Sequence, residues 1–361
     1  MLGASASEPV AAPQYRARLA IAGLGLVGRR HADAIAKSVD AELVAVVDPS
    51  DASGRAAQAR GVARFHRIEE MLATAEPDGV ILSTPTRMHV EQAQACLSAR
   101  AAVLVEKPLS DDLGEGLELV TAAEAADIPM LVGHHRRHNP IIQNAKELIA
   151  AGKIGEVRAV HTTCWFYKPD DYFEQAPWRK LKGAGPISVN LVHDVDLMRH
   201  LCGEVILVQA QASQSRRGFQ NEDVAAAVLK FANGAIGTVT VSDSIVSPWS
   251  WEHTAKEYPV YPATQQSAYM IGGSLGSLSI PDQSLWRHEG APDWWSPISA
   301  TSGPVATSDP LVNQIQHFTD VIARRVEPLV SGREGLRTLR VVDAIQRAAA
   351  SGDTVSLEDD V

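Results

Sequence analysis

The stretch Gly23-Leu24-Gly25-Leu26-Val27-Gly28 decides how the first part of this chain folds. It follows the apolar run at residues 19–22, which predicts a buried strand, and it opens residues 27–37, which predict a helix. Glycines at this spacing permit a tight turn, let backbone approach a pyrophosphate and let the helix pack on the strand. Amide groups at the start of such a helix attract phosphate. The stretch therefore predicts a dinucleotide site of the Rossmann type, with a tight strand–helix turn that binds no nucleotide as the alternative.

An acidic residue completes the predicted site. Asp48 ends the next apolar run, residues 43–47, and lies twenty residues after Gly28. A carboxylate at that place hydrogen-bonds the ribose hydroxyls of NAD. Because its charge would repel a 2′-phosphate, Asp48 predicts NAD rather than NADP as the cofactor. The alternative is an acid that only stabilises a turn.

Outward from this motif, short apolar runs alternate with helical stretches. Further strands are predicted at residues 63–65, 79–82, 102–105 and 130–132, and helices at residues 90–99 and 117–126 among others. Alternation of this kind predicts a parallel sheet with right-handed crossovers. We therefore expect an NAD-binding Rossmann domain over residues 15–139, preceded by a flexible arm at residues 1–14 that is rich in Ala, Ser and Pro.

After Pro140 the pattern changes to longer strands and fewer helices. We predict helices at residues 141–151, 187–201, 311–325 and 332–349, strands at residues 156–167, 205–211, 225–231, 235–243, 269–272 and 277–280, and long loops at residues 247–267 and 281–307. This pattern predicts an α+β domain with a large, mainly antiparallel open sheet. We assign substrate binding and oligomerisation to it, over residues 140–361.

Composition limits the classes of partner. The chain has 361 residues, enough for about two domains, and its 33 Lys+Arg against 43 Asp+Glu give a net charge of −10. That balance argues against nucleic acid or an anionic membrane as a partner. The sequence contains no run of 18 apolar residues, so it predicts no membrane-spanning helix. The three cysteines, Cys96, Cys164 and Cys202, favour a reducing cytoplasm over a disulfide framework.

A second motif, Glu106-Lys107-Pro108, ends the fifth predicted strand. In open α/β sheets, ligands bind beyond the carboxyl ends of the strands, so Lys107 would point at the cofactor crevice. Its ammonium group could polarise a substrate oxygen, and burial could lower its pKa. Pro108 fixes the backbone, with a cis peptide bond as one possibility. A solvated lysine is the alternative when the motif is taken alone.

These motifs together resemble the glucose–fructose oxidoreductase / inositol dehydrogenase / MocA (Gfo/Idh/MocA) family. The resemblance runs from Arg18 to Leu357, and further elements that carry it are Ser83-Thr84-Pro85-Thr86 with His89, residues 133–140, and Trp178-Arg179 ahead of Gly183-Ala184-Gly185. It implies a two-domain NAD(P) oxidoreductase that acts on sugars, cyclitols or related polyols. The cofactor contacts it implies, together with those of the first motif, are Gly23, Gly25, Leu26, Val27, Gly28, Asp48, Ser83, Thr84, Pro85, His89, Glu106, Lys107, Trp178 and Arg179.

The resemblance also implies a catalytic histidine. His193 follows Gly183-Ala184-Gly185-Pro186 in a predicted helix, and a neutral imidazole suits proton removal from a carbinol at pH 7. His193 and Lys107 are thus the expected catalytic pair. Related dehydrogenases usually carry aspartate four residues earlier, where this chain has Val189, so either the pair suffices or the chemistry differs from simple polyol oxidation. A packed structural histidine is the alternative.

Other residues are candidates for substrate contact or assembly. Asn190 could hydrogen-bond the substrate, and aromatic and polar side chains such as Tyr167 and His253 could line a sugar site. A strand face with large apolar groups could instead form a homodimer or homotetramer interface. Arg136 and Arg137 could hold an anion, but surface or interdomain ion pairs are the favoured interpretation. We predict no metal, since no Cys/His set has zinc spacing.

Two other functions stay open on the sequence. One is an enzyme that cleaves or epimerises sugars with a retained NAD. The other is a non-catalytic NAD-binding regulator, which the missing aspartate favours and the retained Lys107 and His193 oppose.

Overall fold

The first sheet is parallel and has six strands. The computed structural model describes residues 15–303 and 306–357, so the predicted arm at residues 1–14 lies outside the described part. The strands of the first sheet and the helices between them are β1 (Ala17–Ala22), α1 (Leu26–Lys37), β2 (Ala41–Val47), α2 (Asp51–Ala59), β3 (Ala63–Phe65), α3 (Ile68–Ala75), β4 (Gly79–Leu82), α4 (His89–Ser98), β5 (Ala102–Val105), α5 (Leu113–Ala125) and β6 (Met130–Val132). The order of the strands in the sheet is β3-β2-β1-β4-β5-β6.

The strand order reverses between β1 and β4, which lie side by side. Ligands of doubly wound sheets bind in the crevice at such a reversal, beyond the carboxyl ends of the strands. The glycine stretch follows β1, and the Glu106-Lys107-Pro108 motif follows β5 on the same edge. The fold therefore brings both motifs to one crevice, as predicted.

The second sheet has nine strands in the order β14-β13-β12-β11-β7-β10-β9-β8-β15. Adjacent strands in this sheet are antiparallel, except for the pair β10 and β7, which is parallel. The elements of this region are α6 (Pro140–Ala150), β7 (Val157–Trp165), α7 (Asp170–Glu174), α8 (Val192–Cys202), β8 (Val205–Gln214), β9 (Glu222–Phe231), β10 (Ile236–Ser242), α9 (Trp251–Thr254), β11 (Tyr269–Gly273), β12 (Ser277–Ile280), β13 (Leu285–Arg287), β14 (Ser299–Thr301), α10 (Pro310–Ile322), α11 (Gly332–Ser351) and β15 (Val355–Ser356).

The predictions of two long loops are partly wrong. Residues 247–267 contain the short helix α9, and residues 281–307 contain strands β13 and β14. Each of these strands has three residues and is half-buried or exposed, so it lacks the apolar run that marks a strand in sequence. Their pairing with β12 extends the sheet and makes them strands.

One face of the second sheet is buried beneath helices α8 and α11, which contribute Met198, Leu201, Val341 and Ile345 to its core. Helix α10 lies late in the chain but packs on the first sheet through Leu311, Ile315 and Phe318. The domain limits at residues 139 and 140 stay a prediction. Within the described residues, no helix has the length and apolar character needed to cross a membrane.

Candidate active site

The glycine turn between β1 and α1 is built from close contacts. A side-chain carbon on Gly23, whose φ is +85°, would lie 2.6 Å from the carbonyl oxygen of Ser83. One on Gly28 would lie 1.9 Å from the carbonyl oxygen of Gly23, whereas one on Gly25 meets nothing within 4 Å. In the described part of the chain, α1 has no side-chain cap, because Gly25 occupies its N-cap position. Gly23 and Gly28 are thus required by packing, and Gly25 borders open space where a pyrophosphate fits against free amides.

The Asp48 carboxylate is held in place at the end of β2. Its Oδ2 accepts a hydrogen bond of 2.8 Å from the backbone of Leu24, and its Oδ1 accepts one of 2.9 Å from the backbone of Ser50. Partial burial acts to raise its pKa, but these hydrogen bonds outweigh burial and lower it. Asp48 is therefore ionised at neutral pH and fits the contact with ribose hydroxyls.

The loop after β4 is tied to both neighbouring loops. Ser83 Oγ donates to the carbonyl of Gly23 over 2.7 Å, and Thr84 Oγ1 donates to Gln92 over 2.6 Å. The buried ring of His89 lies between two carbonyl oxygens, 2.9 Å from that of Thr84 and 3.0 Å from that of Pro108. Pro85 precedes a single 3₁₀ turn. Ser83 and His89 thereby hold the β4 loop against the glycine turn and the Pro108 loop.

Glu106 is fixed beneath the site by a histidine of α1. Its Oε1 lies 2.7 Å from His31 Nε2, and its Oε2 accepts from the backbone of Lys107. Burial acts to raise its pKa, but His31, with smaller contributions from His135 and Lys107, outweighs burial and the pKa falls to about 2. Gly133 on the adjacent strand end leaves room, because a side-chain carbon there would lie 2.9 Å from the carboxyl carbon. Glu106 therefore anchors the turn that carries Lys107.

Lys107 reaches from the first sheet to the second domain. Its Nζ donates a hydrogen bond of 3.2 Å to the carbonyl of Val189, and the peptide bond between Lys107 and Pro108 is cis. Burial lowers the pKa of Lys107 to about 8, while the neighbouring Glu106 carboxylate acts to raise it. The ammonium group is thus desolvated and carries charge at neutral pH.

His193 lies in the first turn of α8, directly after a π-helical turn at Ile187–Leu191. The continuous α-helix predicted from residue 187 is wrong for this turn. The imidazole centroid lies 5.4 Å from that of His135 and 6.4 Å from that of His134. Burial, with Lys107 as the next cause, holds the pKa of His193 well below its ordinary value, so the ring is neutral at pH 7. Its buried Nδ1 has no hydrogen-bond partner among the described residues, which leaves it free for a ligand.

Asn190 has a partner that sequence reasoning missed. Its Oδ1 accepts a 2.6 Å hydrogen bond from Nζ of Lys168, a buried side chain that follows β7. The only signal in the sequence was a lysine directly after an aromatic strand end. Lys107 and Lys168 thus bind adjacent residues of the same π-helical turn.

A cavity of about 700 Å³ opens beside this turn, lined by Lys107, Pro108, Val189, Trp178 and Gly183 among others. The tryptophan ring is mostly exposed toward solvent. Arg179 is held by its own domain, since its guanidinium group donates to the carbonyl of Tyr172 over 2.6 Å and lies 3.9 Å from that ring's centroid.

Tyr167 and His253 make their described contacts inside the second domain. The guanidinium group of Arg217 lies 5.6 Å from the Tyr167 ring centroid. The His253 ring packs on Phe166 and Tyr261, with centroid distances of 5.3 Å and 6.3 Å. The structure therefore brings Lys107, His193 and Asn190 together, and leaves substrate contact by Tyr167 and His253 as a prediction.

Buried ion pairs lie behind the site at the junction of the sheets. Arg136 pairs with Asp194 over 3.2 Å and with Glu252 over 2.9 Å, and Arg137 pairs with Asp196 over 2.7 Å. Their predicted role as ion-pair partners is confirmed. Tyr269 donates to Asp194 as well. Within the described ranges, no group of three or more His, Cys, Asp or Glu side chains could hold a metal ion.

A Rossmann domain with an open glycine turn, joined to an α+β domain that faces its crevice, defines a two-domain nucleotide-dependent oxidoreductase. Two family models agree with this class. Residues 17–134 match the oxidoreductase family with an NAD-binding Rossmann fold, and residues 142–279 match the GFO/IDH/MocA C-terminal domain. The chain belongs to the Gfo/Idh/MocA family of NAD-binding oxidoreductases.

Several related proteins match this chain over most of their own lengths. D-apiose dehydrogenase of Paraburkholderia graminis is 28% identical over 94% of this chain and 89% of its own. 4-Carboxy-2-hydroxymuconate-6-semialdehyde dehydrogenase of Sphingobium is 30% identical over 62% of this chain and 71% of its own. The WlbA dehydrogenase from Bordetella pertussis, solved in complex with NADH and UDP-GlcNAcA, is 26% identical, with a TM-score of 0.77 over 95% of this chain and 99% of its own.

Proposed function

We propose that the protein transfers a hydride between NAD and a carbinol carbon of a sugar, cyclitol or related polyol. The observation that carries this is the 3.2 Å contact between Lys107 Nζ and the Val189 carbonyl, which places the ammonium group one helical turn before His193. D-apiose dehydrogenase, a relative named for a sugar substrate, supports the substrate class. The NADH in the WlbA complex supports the cofactor.

The roles of the side chains follow from their charge states. NAD, when bound, supplies the nicotinamide carbon that accepts the hydride. As the carbinol C–H bond breaks, His193 takes the hydroxyl proton on its neutral ring, and the C=O bond forms. Lys107 donates a hydrogen bond to the same oxygen and stabilises its developing negative charge. Glu106, His89 and Ser83 hold the loops that position these groups.

The direct test is absorbance of NADH during incubation with a panel of sugars, cyclitols and sugar acids, with NAD and NADP in parallel. We expect NADH to accumulate with at least one compound. Tight NAD copurification without net NADH would favour the sugar-cleaving or epimerising alternative. Capture of one specific partner protein, without turnover of any compound, would favour the regulator.

Cofactor choice tests the assignment of Asp48. We expect wild-type protein to prefer NAD, and Asp48→Ser to raise the NADP:NAD ratio of kcat/KM at least about 10-fold, because a like-charge contact with the 2′-phosphate is removed. Asp127→Ser, at an exposed residue paired with Arg324, is the control and should leave the ratio unchanged. An NADP preference of the wild type would contradict the assignment.

The pH profile tests which group is the base. Lys107, with a pKa lowered to about 8, is protonated below that pH and loses its charge above it. If its ammonium form is required, kcat/KM should be level from pH 6.5 to 7.5 and fall about 10-fold per unit well above pH 8. Because the pKa of His193 lies well below its ordinary value of 6.5, protonation of this ring should not lower kcat/KM between pH 6.5 and 7.5. A rate that rises through pH 8 would make Lys107 the base instead.

We further propose that the second sheet forms a homodimer or homotetramer through its open face. Val228, Ile236, Met270 and Trp286 on its strands are each between 41% and 46% exposed. Val228 pairs with Thr238, which pairs with His161, which pairs with Met270, so this face is continuous across four strands. Large exposed apolar patches mark interfaces. In sedimentation analysis, Val228→Asp should dissociate the oligomer, whereas Val39→Asp, at an exposed residue of the first domain, should not.

We also propose a cytoplasmic location. Cys96, Cys164 and Cys202 are all buried free thiols, as expected for a reducing compartment. Fractionation of cells that express the tagged full-length chain tests this, and recovery in the periplasmic or secreted fraction would refute it.

A further inference from the structure

The two lysines of the site hold neutral partners. Lys168 Nζ donates to the amide oxygen of Asn190 over 2.6 Å, and Lys107 Nζ donates to the carbonyl of Val189 over 3.2 Å. An ammonium group has three donors, and one hydrogen bond is described for each of these two. Each therefore has donor capacity left at the π-helical turn, and Lys107 also lines the cavity.

Lys168 is only 5% exposed, and burial lowers its pKa while the Asp243 carboxylate acts to raise it. A buried ammonium group is costly unless an anion accompanies it. The Tyr172 ring, 5.1 Å from Nζ, gives only partial compensation. Among the described residues, the Lys168 ammonium group therefore has no carboxylate within hydrogen-bond distance, and its one hydrogen bond goes to the neutral amide of Asn190.

The acids around the two lysines are already hydrogen-bonded to other side chains. Asp243 accepts a 2.9 Å hydrogen bond from Arg217, and Glu252 accepts one of 2.9 Å from Arg136. Glu106 is paired with His31 over 2.7 Å. The carboxylates of Asp243, Glu252 and Glu106 thus each share their charge with a hydrogen-bonded side chain other than Lys107 or Lys168. The π-helical turn itself contributes the apolar side chain of Val189 and the neutral amide of Asn190.

We propose that Lys168, together with Lys107, binds a carboxylate of the substrate, so that the substrates are sugar-derived hydroxy acids such as aldonates or uronates. This inference rests on the proposed function. The carboxylate displaces or joins Asn190 at Lys168 and supplies the missing negative charge. A carbinol carbon of the same molecule then lies toward Lys107 and His193. Lys168 is a specificity-determining residue, and its effect falls on the choice between acidic and neutral substrates.

The test uses the full-length protein with NAD and matched pairs that differ in charge. The pairs are D-glucuronate with D-glucuronamide, D-galacturonate with D-galactose, and D-gluconate with D-glucitol, and glucose 6-phosphate is added as a second anion. We expect kcat/KM for the best acid to exceed that of its neutral counterpart about 10- to 100-fold, the worth of a charge-assisted hydrogen bond. Equal kcat/KM values for each acid and its neutral counterpart, or a preference for glucose 6-phosphate over the acids, would overturn the proposal.

Substitutions test whether the preference for acidic substrates depends on Lys168. Lys168→Gln should bring the acid-to-neutral ratio of kcat/KM close to one. Asn190→Asp should do the same without truncating the buried lysine, because its carboxylate would pair with Lys168 from within the protein. Lys153→Gln removes an equal charge from an exposed turn and should leave the ratio unchanged. An unchanged ratio in both site variants would overturn the role of Lys168.

Binding measurements separate this inference from the proposed function. Calorimetric titration of the NADH-loaded protein with D-glucuronate, D-galacturonate, D-gluconate and their neutral counterparts requires no turnover. If no compound is oxidised but an acid binds and its counterpart does not, the oxidoreductase proposal fails and the carboxylate site stands. If neutral polyols are oxidised as well as acids, the function stands and the carboxylate site fails. If no acid binds more tightly than its neutral counterpart, the carboxylate site is refuted in either case.

Discussion

Replacement of His193 by alanine is expected to lower kcat at least about 100-fold, the low end for loss of an acid–base group. The neutral ring is the proton acceptor of the proposed reaction, and its buried Nδ1 has no hydrogen-bond partner among the described residues. Lys107→Ala should produce a loss of the same order, because charge on the substrate oxygen is then unopposed in a desolvated site. Initial rates of NADH formation measure both effects.

NAD binding and a control substitution at a second histidine distinguish a loss of chemistry from a loss of folding. NAD affinity, followed by quenching of tryptophan fluorescence, should stay within a few-fold of wild type for His193→Ala, because the proposed role of this side chain is toward the substrate. His200→Ala removes an imidazole from the same helix and should retain most of the activity. Near-wild-type rates for the His193 and Lys107 variants would refute the catalytic assignment.

Arg137→Met is expected to destabilise the protein by about 3–5 kcal/mol, the cost of breaking a buried ion pair by removing one partner. The guanidinium group donates to both oxygens of Asp196, at 2.7 Å and 2.9 Å, and also to Glu334 at 3.0 Å. Burial acts to raise the pKa of Asp196, but His134 and Arg137 lower it to about 2. The variant leaves a buried carboxylate without this partner, which shifts the urea unfolding midpoint downward.

An exposed pair is the matched control. Arg333 donates to both oxygens of Glu124, at 2.6 Å and 2.7 Å, but both side chains are close to half-exposed. Arg333→Met should therefore cost less than about 1 kcal/mol. Equal effects of the two substitutions would contradict the role given to burial. Because the folded-state pKa of Asp196 lies below its ordinary 3.8, the Arg137 contribution is present above about pH 4 and is lost as the pH falls toward 2.

Strands β4 and β5 of the first sheet were predictable because they are buried on both faces. Gly79–Leu82 and Ala102–Val105 are fully buried in the structure and are short apolar runs in the sequence, with turn or charged residues on either side. The half-exposed strands β13 and β14 lack such a run, and only their pairing with distant residues shows that they are strands.

The π-helical turn and the role of Lys168 were beyond sequence reasoning. Residues three and four apart share a face of a regular α-helix, whereas the extra residue per turn of the π-helical segment at Ile187–Leu191 changes which side chains share a face. Lys168 meets Asn190 across 22 residues of chain, and no local pattern encodes that contact.

By itself, the amino-acid sequence determined the class of each domain and the dinucleotide turn, because glycine spacing and apolar periodicity act over a few residues. Only the tertiary structure decided which charges are neutralised at the site. Charge pairing depends on distances between residues far apart in the chain, so the contrast between the paired Arg137 and the lysines with neutral partners emerges only when the two sheets come together.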